Sequence, residues 1–181
     1  MTHTTPWRPT RGQIEAARGK RIADVITVEL DVLFVGINPS LYSAAVGHHF
    51  ARPGNRFWPA LHGAGLTPRL FSPFEDQQLT EHGCGITNLV ARATARADEL
   101  SAEELRRGGR SLATKVRRRQ IRCVAFLGVT AYRTAFAEPA AQVGPQEHGI
   151  GGAELYVLPN PSGLNAHYQL PDFVELFAQL R

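Results

Sequence analysis

The sequence predicts an α/β fold in which parallel strands are covered by helices on both faces. Three observations predict it. Short continuous apolar runs recur along the chain, and strands buried on both faces read that way. Segments of helical spacing alternate with them, the order that builds a parallel sheet. The loops after the first and last runs are rich in Gly, Pro and Asn, and such folds bind ligands at the carboxyl ends of their strands.

Residues 1–20 read as a loosely ordered tail with a short helix over 13–17, leaving 21–181 as a single domain. DVLFVG (31–36) is the first strand, stopped by Gly36, and a polar loop follows to Gly54. Asn55 is a capping residue for a helix on which Phe57, Leu61 and Ala64 recur at helical spacing. A second helix is expected over 73–82, ended by Gly83, and CGITNLV (84–90) is the next strand. Ser101 with Glu104 three positions on forms a capping box that opens a long helix to about 119. The pair Gly108-Gly109 interrupts that helix's pattern. IRCVAFL (121–127) is a third strand, followed by a helix over 130–136; ELYVL (154–158) is a fourth, followed by a helix over 171–180 with proline at its start.

At 181 residues the chain fits one domain with a real core, and 43% hydrophobic content excludes a disordered body. No apolar run approaches the roughly 18 residues that a membrane span needs. The first 19 residues are polar, without an apolar signal core, so a cytoplasmic protein is expected. Cys84 and Cys123 give no disulfide framework and are too few for an all-cysteine iron–sulfur cluster. His48, His49, His148 and His167 lack the spacing of a zinc site, so no metal and no cofactor is expected. The net charge of +4 is carried almost entirely by arginine, densest over 106–122. Arginine suits phosphate oxygens, so this stretch reads either as a polyanion-binding face or as a solvated helix face.

GINPS (36–40) follows the first strand. Gly36 permits close approach of a ligand, and Pro39 keeps Asn38 extended, with its amide aimed out of the strand end. Taken alone, Asn38-Pro39 reads equally as a turn starter. A second Asn-Pro, in NPSGL (160–164), lies after the fourth strand at the same sheet edge and ends in an apolar Leu164. A leucine in a polar loop is either packed down or a wedge for stacked bases, and Phe50 is either core or a platform for an extruded base.

GINPS, HFARPGNRFW (49–58), GITNLV (85–90), GGRSL (108–112) and NPSGLNAHY (160–168), in this order, resemble the mismatch-specific uracil-DNA and thymine-DNA glycosylases of the uracil-DNA glycosylase superfamily. The similarity is collinear from about Val32 to the last helix. It implies a three-layer α/β/α sandwich around a four-stranded parallel sheet, acting as a monomer on double-stranded DNA with a G·U or G·T mismatch. It also implies roles by position: Asn38 for holding the attacking water, Phe50 for stacking on the flipped base, and backbone groups at Ile37 and Phe50 for the pyrimidine edge. Ser43 falls near carbon 5 of the base and Asn88 at the pocket mouth, while Gly163, Leu164 and Asn165 belong to the segment that fills the vacated stack. Ser40 replaces the glycine that members commonly carry, and Asn165-Ala166 stands where some have Ser-Arg.

The chemistry expected is hydrolysis of the N-glycosidic bond, with donors stabilising the charge on the departing base. GINPS has no carboxylate to deprotonate water, so good leaving groups such as uracil are favoured. Asp98, after the second strand, either supplies such help or precedes and caps the Ser101 helix. Two other readings remain open from sequence: a nucleoside or nucleotide hydrolase acting on free molecules, and a basic module that binds mismatches without cutting.

Overall fold

The computed structural model describes residues 7–181. Its centre is the sheet, with strands β1 (Glu29–Gly36), β2 (Cys84–Asn88), β3 (Gln120–Leu127), β4 (Gly144–Pro145) and β5 (Glu154–Leu158) in the order β2-β1-β3-β5-β4. β2, β1, β3 and β5 run parallel. β4 pairs antiparallel to β5 through Gly144↔Val157 and Pro145↔Tyr156.

The apolar runs are explained by burial on both faces. In β1, Val32 and Phe34 point into one core while Leu33 and Val35 point into the other. In β3, Cys123, Ala125 and Leu127 share the first core, and Val124 and Phe126 the second. Helices α3 (Phe57–Gly63) and α6 (Leu170–Ala178) cover the first face with Phe57, Leu61, Phe173 and Phe177. Helices α4 (Ala102–Arg117) and α5 (Val129–Phe136) cover the second with Leu112, Val116, Ala131 and Tyr132. This is a three-layer α/β/α arrangement. α4 runs unbroken through its two glycines because they are contact points: a Cβ at Gly108 would run into the Leu89 carbonyl.

The expectation of four strands is corrected to five. The additional strand is two residues long, Gly144 and Pro145, and so has no apolar alternation to read. Its proline, which cannot donate to a ladder, is tolerated because β4 is an edge. The loop expected over 36–54 contains a helix, α2 (Leu41–Val46), capped by Ser40, whose hydroxyl accepts the Ser43 N–H, and ended by Gly47 in the left-handed region.

The loosely ordered tail is also corrected for its described part; residues 1–6 lie outside the described residues. Helix α1 (Arg11–Glu15) starts two residues before the expected position because Thr10 and Gln13 form a capping box. Ala17 is fully buried with Leu41, Ala44 and Ala93, and the chain is pinned by Gly19 N–H to Ala93 O and Ala93 N–H to Lys20 O, each 2.9 Å.

The two cysteines flank Val32, one on either neighbouring strand. Two strand spacings, about 9.6 Å, separate them, too far for a disulfide. Burial pushes the Cys84 thiol up to about 12 and the Cys123 thiol up to about 11.

Candidate active site

A cavity of about 370 Å³ opens at the carboxyl ends of β1, β2, β3 and β5. Its wall is built from the loops that leave these strands: Ile37 and Asn38 after β1, Thr94–Asp98 after β2, and Asn160–Leu164 after β5. That volume is at the lower end of those that enclose small ligands.

Asn38 is fixed by partners far away in sequence. Its Nδ2 donates to Arg92 O at 3.0 Å and to Thr94 Oγ1 at 2.8 Å. Thr94, itself buried, donates its hydroxyl hydrogen bond to Arg96 O at 2.7 Å, which leaves its oxygen to accept from Asn38. Both protons of the Asn38 amide are therefore consumed, and its Oδ1 is the polar atom left for the cavity, with no hydrogen bond among the described residues. An amide oxygen held this way accepts a hydrogen bond from a water or a ligand but takes no proton.

Phe50 adopts φ 52°, a left-handed conformation that costs a bulky residue about 1–2 kcal/mol. The neighbouring polar groups hold it there. His49 N–H donates to the buried Asp76 carboxylate at 3.3 Å, Trp58 Nε1 donates to His49 O at 3.2 Å, and Ala51 N–H donates to Ser43 Oγ at 3.0 Å. Among the described residues the Phe50 N–H itself has no acceptor, so a donor is left unused at the cavity wall. One face of the Phe50 ring stacks on Phe57, centroids 4.1 Å apart at 26°. Gly36 makes room for it: a Cβ there would lie 2.7 Å from Asn88 Oδ1 and 3.4 Å from Phe50 Cζ.

His49 is buried and its Nε2 lies 2.9 Å from Ala23 O, so that nitrogen carries the proton. Burial lowers its pKa from the ordinary 6.5, and the ring is neutral at pH 7. Ile37 lends its carbonyl to Val90 N–H at 2.9 Å. Ser43, a wall residue, is a clip whose oxygen holds the Ala51 N–H.

The segment after β5 is held by hydrogen bonds within it. Asn160 Oδ1 accepts Ser162 N–H at 3.0 Å, and Asn165 Nδ2 donates to Asn160 O at 3.0 Å. Gly163 lies against the Gly54 carbonyl, where a Cβ would come within 2.8 Å. Leu164 is 76% exposed at the cavity rim, so the packed-down alternative is set aside.

Asp98 sits in a short 3-10 turn (Ala97–Glu99), with Ser101 rather than Asp98 capping α4. Its carboxylate is 72% exposed and bonded to Arg96 Nε at 3.0 Å. It is the one carboxylate among the described residues that line the cavity, and it stands at the rim. No arginine of the 106–122 stretch lines the cavity: Arg106, Arg107 and Arg110 lie on the first half of α4, whose Gly108 packs on Leu89 just past β2. Arg117–Arg122 surrounds the start of β3, at the opposite edge of the sheet, and the cavity has Arg52 and Arg96 instead.

Three site residues escaped sequence reasoning. Arg92 and Thr94 lie 54 and 56 positions from the side chain they orient, and nothing local marks them. Arg56 lies within a motif the sequence had singled out, and its donors enter the segment after β5.

Comparison with known proteins gives the family and the fold. The sequence model of the uracil DNA glycosylase superfamily matches residues 23–181. The fold is similar to the solution NMR structure of a candidate uracil DNA glycosylase from Methanosarcina acetivorans, with a TM-score of 0.58 at 20% identity, covering 90% of this chain and 98% of that one.

Proposed function

Because the chain belongs to the uracil DNA glycosylase superfamily, we propose that it excises uracil from G-mismatched duplex DNA as a monofunctional, monomeric, mismatch-specific glycosylase. The observation that carries this reading is that Asn38 and Phe50 line one cavity of about 370 Å³. Asn38 offers only an acceptor, suited to a water. Phe50 offers a ring face, backed by Phe57, and an unused N–H, suited to an extruded pyrimidine and one of its oxygens.

The base leaves the stack and enters the cavity, with Leu164 filling the vacated space. A water held on Asn38 Oδ1 attacks the sugar carbon C1′. The bond from C1′ to the base nitrogen breaks, and its electron pair departs with the base. The negative charge that builds on the base oxygen meets the Phe50 N–H in surroundings poor in water. The proton of the attacking water passes to solvent or to a DNA phosphate, leaving an abasic site. Among the described residues no lysine lines the cavity, so the amine needed to form a Schiff base with the sugar is missing there, which supports hydrolysis alone.

Uracil is the preferred substrate because a site without a general base at the water favours good leaving groups. Thymine and modified pyrimidines follow to the extent that the wall at Ser43 and Asn88 tolerates a group on carbon 5. The exposure of Asp98 and its bond to Arg96 favour a place in a DNA-binding network at the rim over help to the water.

A duplex with one G·U mismatch, incubated with the protein and then treated with alkali, tests the reading. Strand breakage at the uracil is expected. Binding without breakage would favour a mismatch-binding module, and hydrolysis of free nucleosides alone would favour the small-molecule hydrolase.

A further inference from the structure

Arg56 joins two parts of the site that are remote in sequence. It stands at the start of α3, where its backbone N–H donates to Pro161 O at 2.9 Å. Its Nη1 donates to Asn165 O and Tyr168 O, each at 2.8 Å, with Ser162 O at 3.5 Å. Neither of the nearer carbonyls receives a backbone N–H from the described residues, so the guanidinium is what satisfies them. Its carbon lies 5.9 Å from the Phe173 ring centroid, which supports the group from the core side. The segment thus curls around one cation, and Leu164 projects from it into solvent.

The next residue along the chain is Phe57, the ring that backs Phe50. The base platform and the projecting leucine are therefore fixed to the same turn of α3. The two protons of Nη1 serve the two nearer carbonyls, the planar group fixes their directions, and hydrogen bonds from a charged donor are roughly twice as strong as neutral ones.

We infer that Arg56 is a positioning residue that sets Leu164 at a fixed height above the Phe50 platform, so that filling the vacated stack and seating the base occur together. The inference rests on the glycosylase reading above. Arg56 touches neither base nor sugar in this role; it acts through Leu164.

A double-mutant cycle tests it, with single-turnover excision from the G·U duplex as the measurement. Arg56→Met, which keeps the stem over Phe173, and Leu164→Ala are each expected to slow excision about 10- to 100-fold, the scale of a 1 Å misplacement. In the Leu164→Ala background Arg56→Met should slow it less than about 3-fold further, because contacting or linked sites are non-additive. Arg56→Lys, which keeps the charge but not the planar group over Phe173 that aims Nη1, should fall between wild type and Arg56→Met. Thermal unfolding of each variant confirms that the rates belong to folded protein, and the Lys variant carries the cycle if the Met variant does not fold. Equal slowing by the Arg56 substitution with and without Leu164 would overturn the inference, leaving Arg56 as a general stabiliser. A wild-type protein that excises nothing would instead refute the glycosylase reading, and the inference with it.

Discussion

Asn38→Ala separates the water-holding role of the amide from its contribution to the fold. The substitution removes two hydrogen bonds, to Arg92 O at 3.0 Å and to Thr94 Oγ1 at 2.8 Å. Each contributes about 0.5–1.5 kcal/mol net, so the loss in stability is about 1–3 kcal/mol. A chain of this size loses about 2–4 °C of Tm per kcal/mol, which sets the expected fall at about 2–12 °C. The protein therefore stays folded at 25 °C, and its rate can be read. With the water no longer held, single-turnover excision of uracil from the G·U duplex should fall about 10²- to 10⁴-fold. Duplex affinity, followed by fluorescence anisotropy, should change little, since Asn38 lies inside the cavity. Thr94→Val adds the decisive comparison. It leaves Asn38 in place but removes one of the two acceptors that orient its amide, together with the Thr94 bond to Arg96 O. Its rate should fall between those of wild type and Asn38→Ala. Excision by Asn38→Ala at the wild-type rate would refute the assignment of the water, and a wild-type rate for Thr94→Val would refute the argument from amide orientation.

Gly36→Ala places a Cβ 2.7 Å from Asn88 Oδ1 and against Phe50, so excision should slow about 10- to 100-fold while the protein remains folded; an unchanged rate would show that the platform need not sit so close. Hydrogen bonding to Arg92 pulls the Glu104 carboxyl from 4.5 down to about 2. A carboxylate more acidic in the folded state stabilises the fold above pH about 4.5, and that contribution is lost as the pH falls towards about 2. Glu104→Gln should accordingly unfold at a lower temperature than wild type at pH 7 and lose less on acidification from pH 5 to pH 2, as followed by circular dichroism. Asp98→Asn should alter the affinity for duplex DNA at low salt more than the excision rate, and a rate loss above about 10-fold would return Asp98 to the chemistry.

What the sequence made legible was set by how local each cause is. Four strands were readable because burial on both faces writes itself into consecutive residues, as in Val32–Val35, which alternate between two cores. β4 left no such mark, because Gly144 and Pro145 pair only through backbone at an edge. α2 was hidden in an otherwise polar loop, although Ser40 with the Ser43 N–H and the terminal Gly47 are its start and stop signals. The unexpected order of residues 7–20 came from contacts with Ala93 and Leu41 that no local pattern announces. The same division runs through the site. Asn38, Phe50 and Leu164 stand in recognisable motifs, whereas Arg92, Thr94 and the role of Arg56 depend on chain segments brought together from far apart. The arginine stretch shows the same limit: density along the chain does not say that α4 spreads it from the carboxyl end of β2 to the start of β3.

The two thiols beside Val32 have a practical consequence. Both are buried, and both hold their protons well above neutral pH, so a thiol-directed dye finds no thiolate on the folded protein. A cysteine introduced at the exposed Leu164 position would then be the reactive one, without removal of the native pair. A fluorophore there would report directly on whether that tip enters the stack, in a protein whose interior chemistry is left as it was.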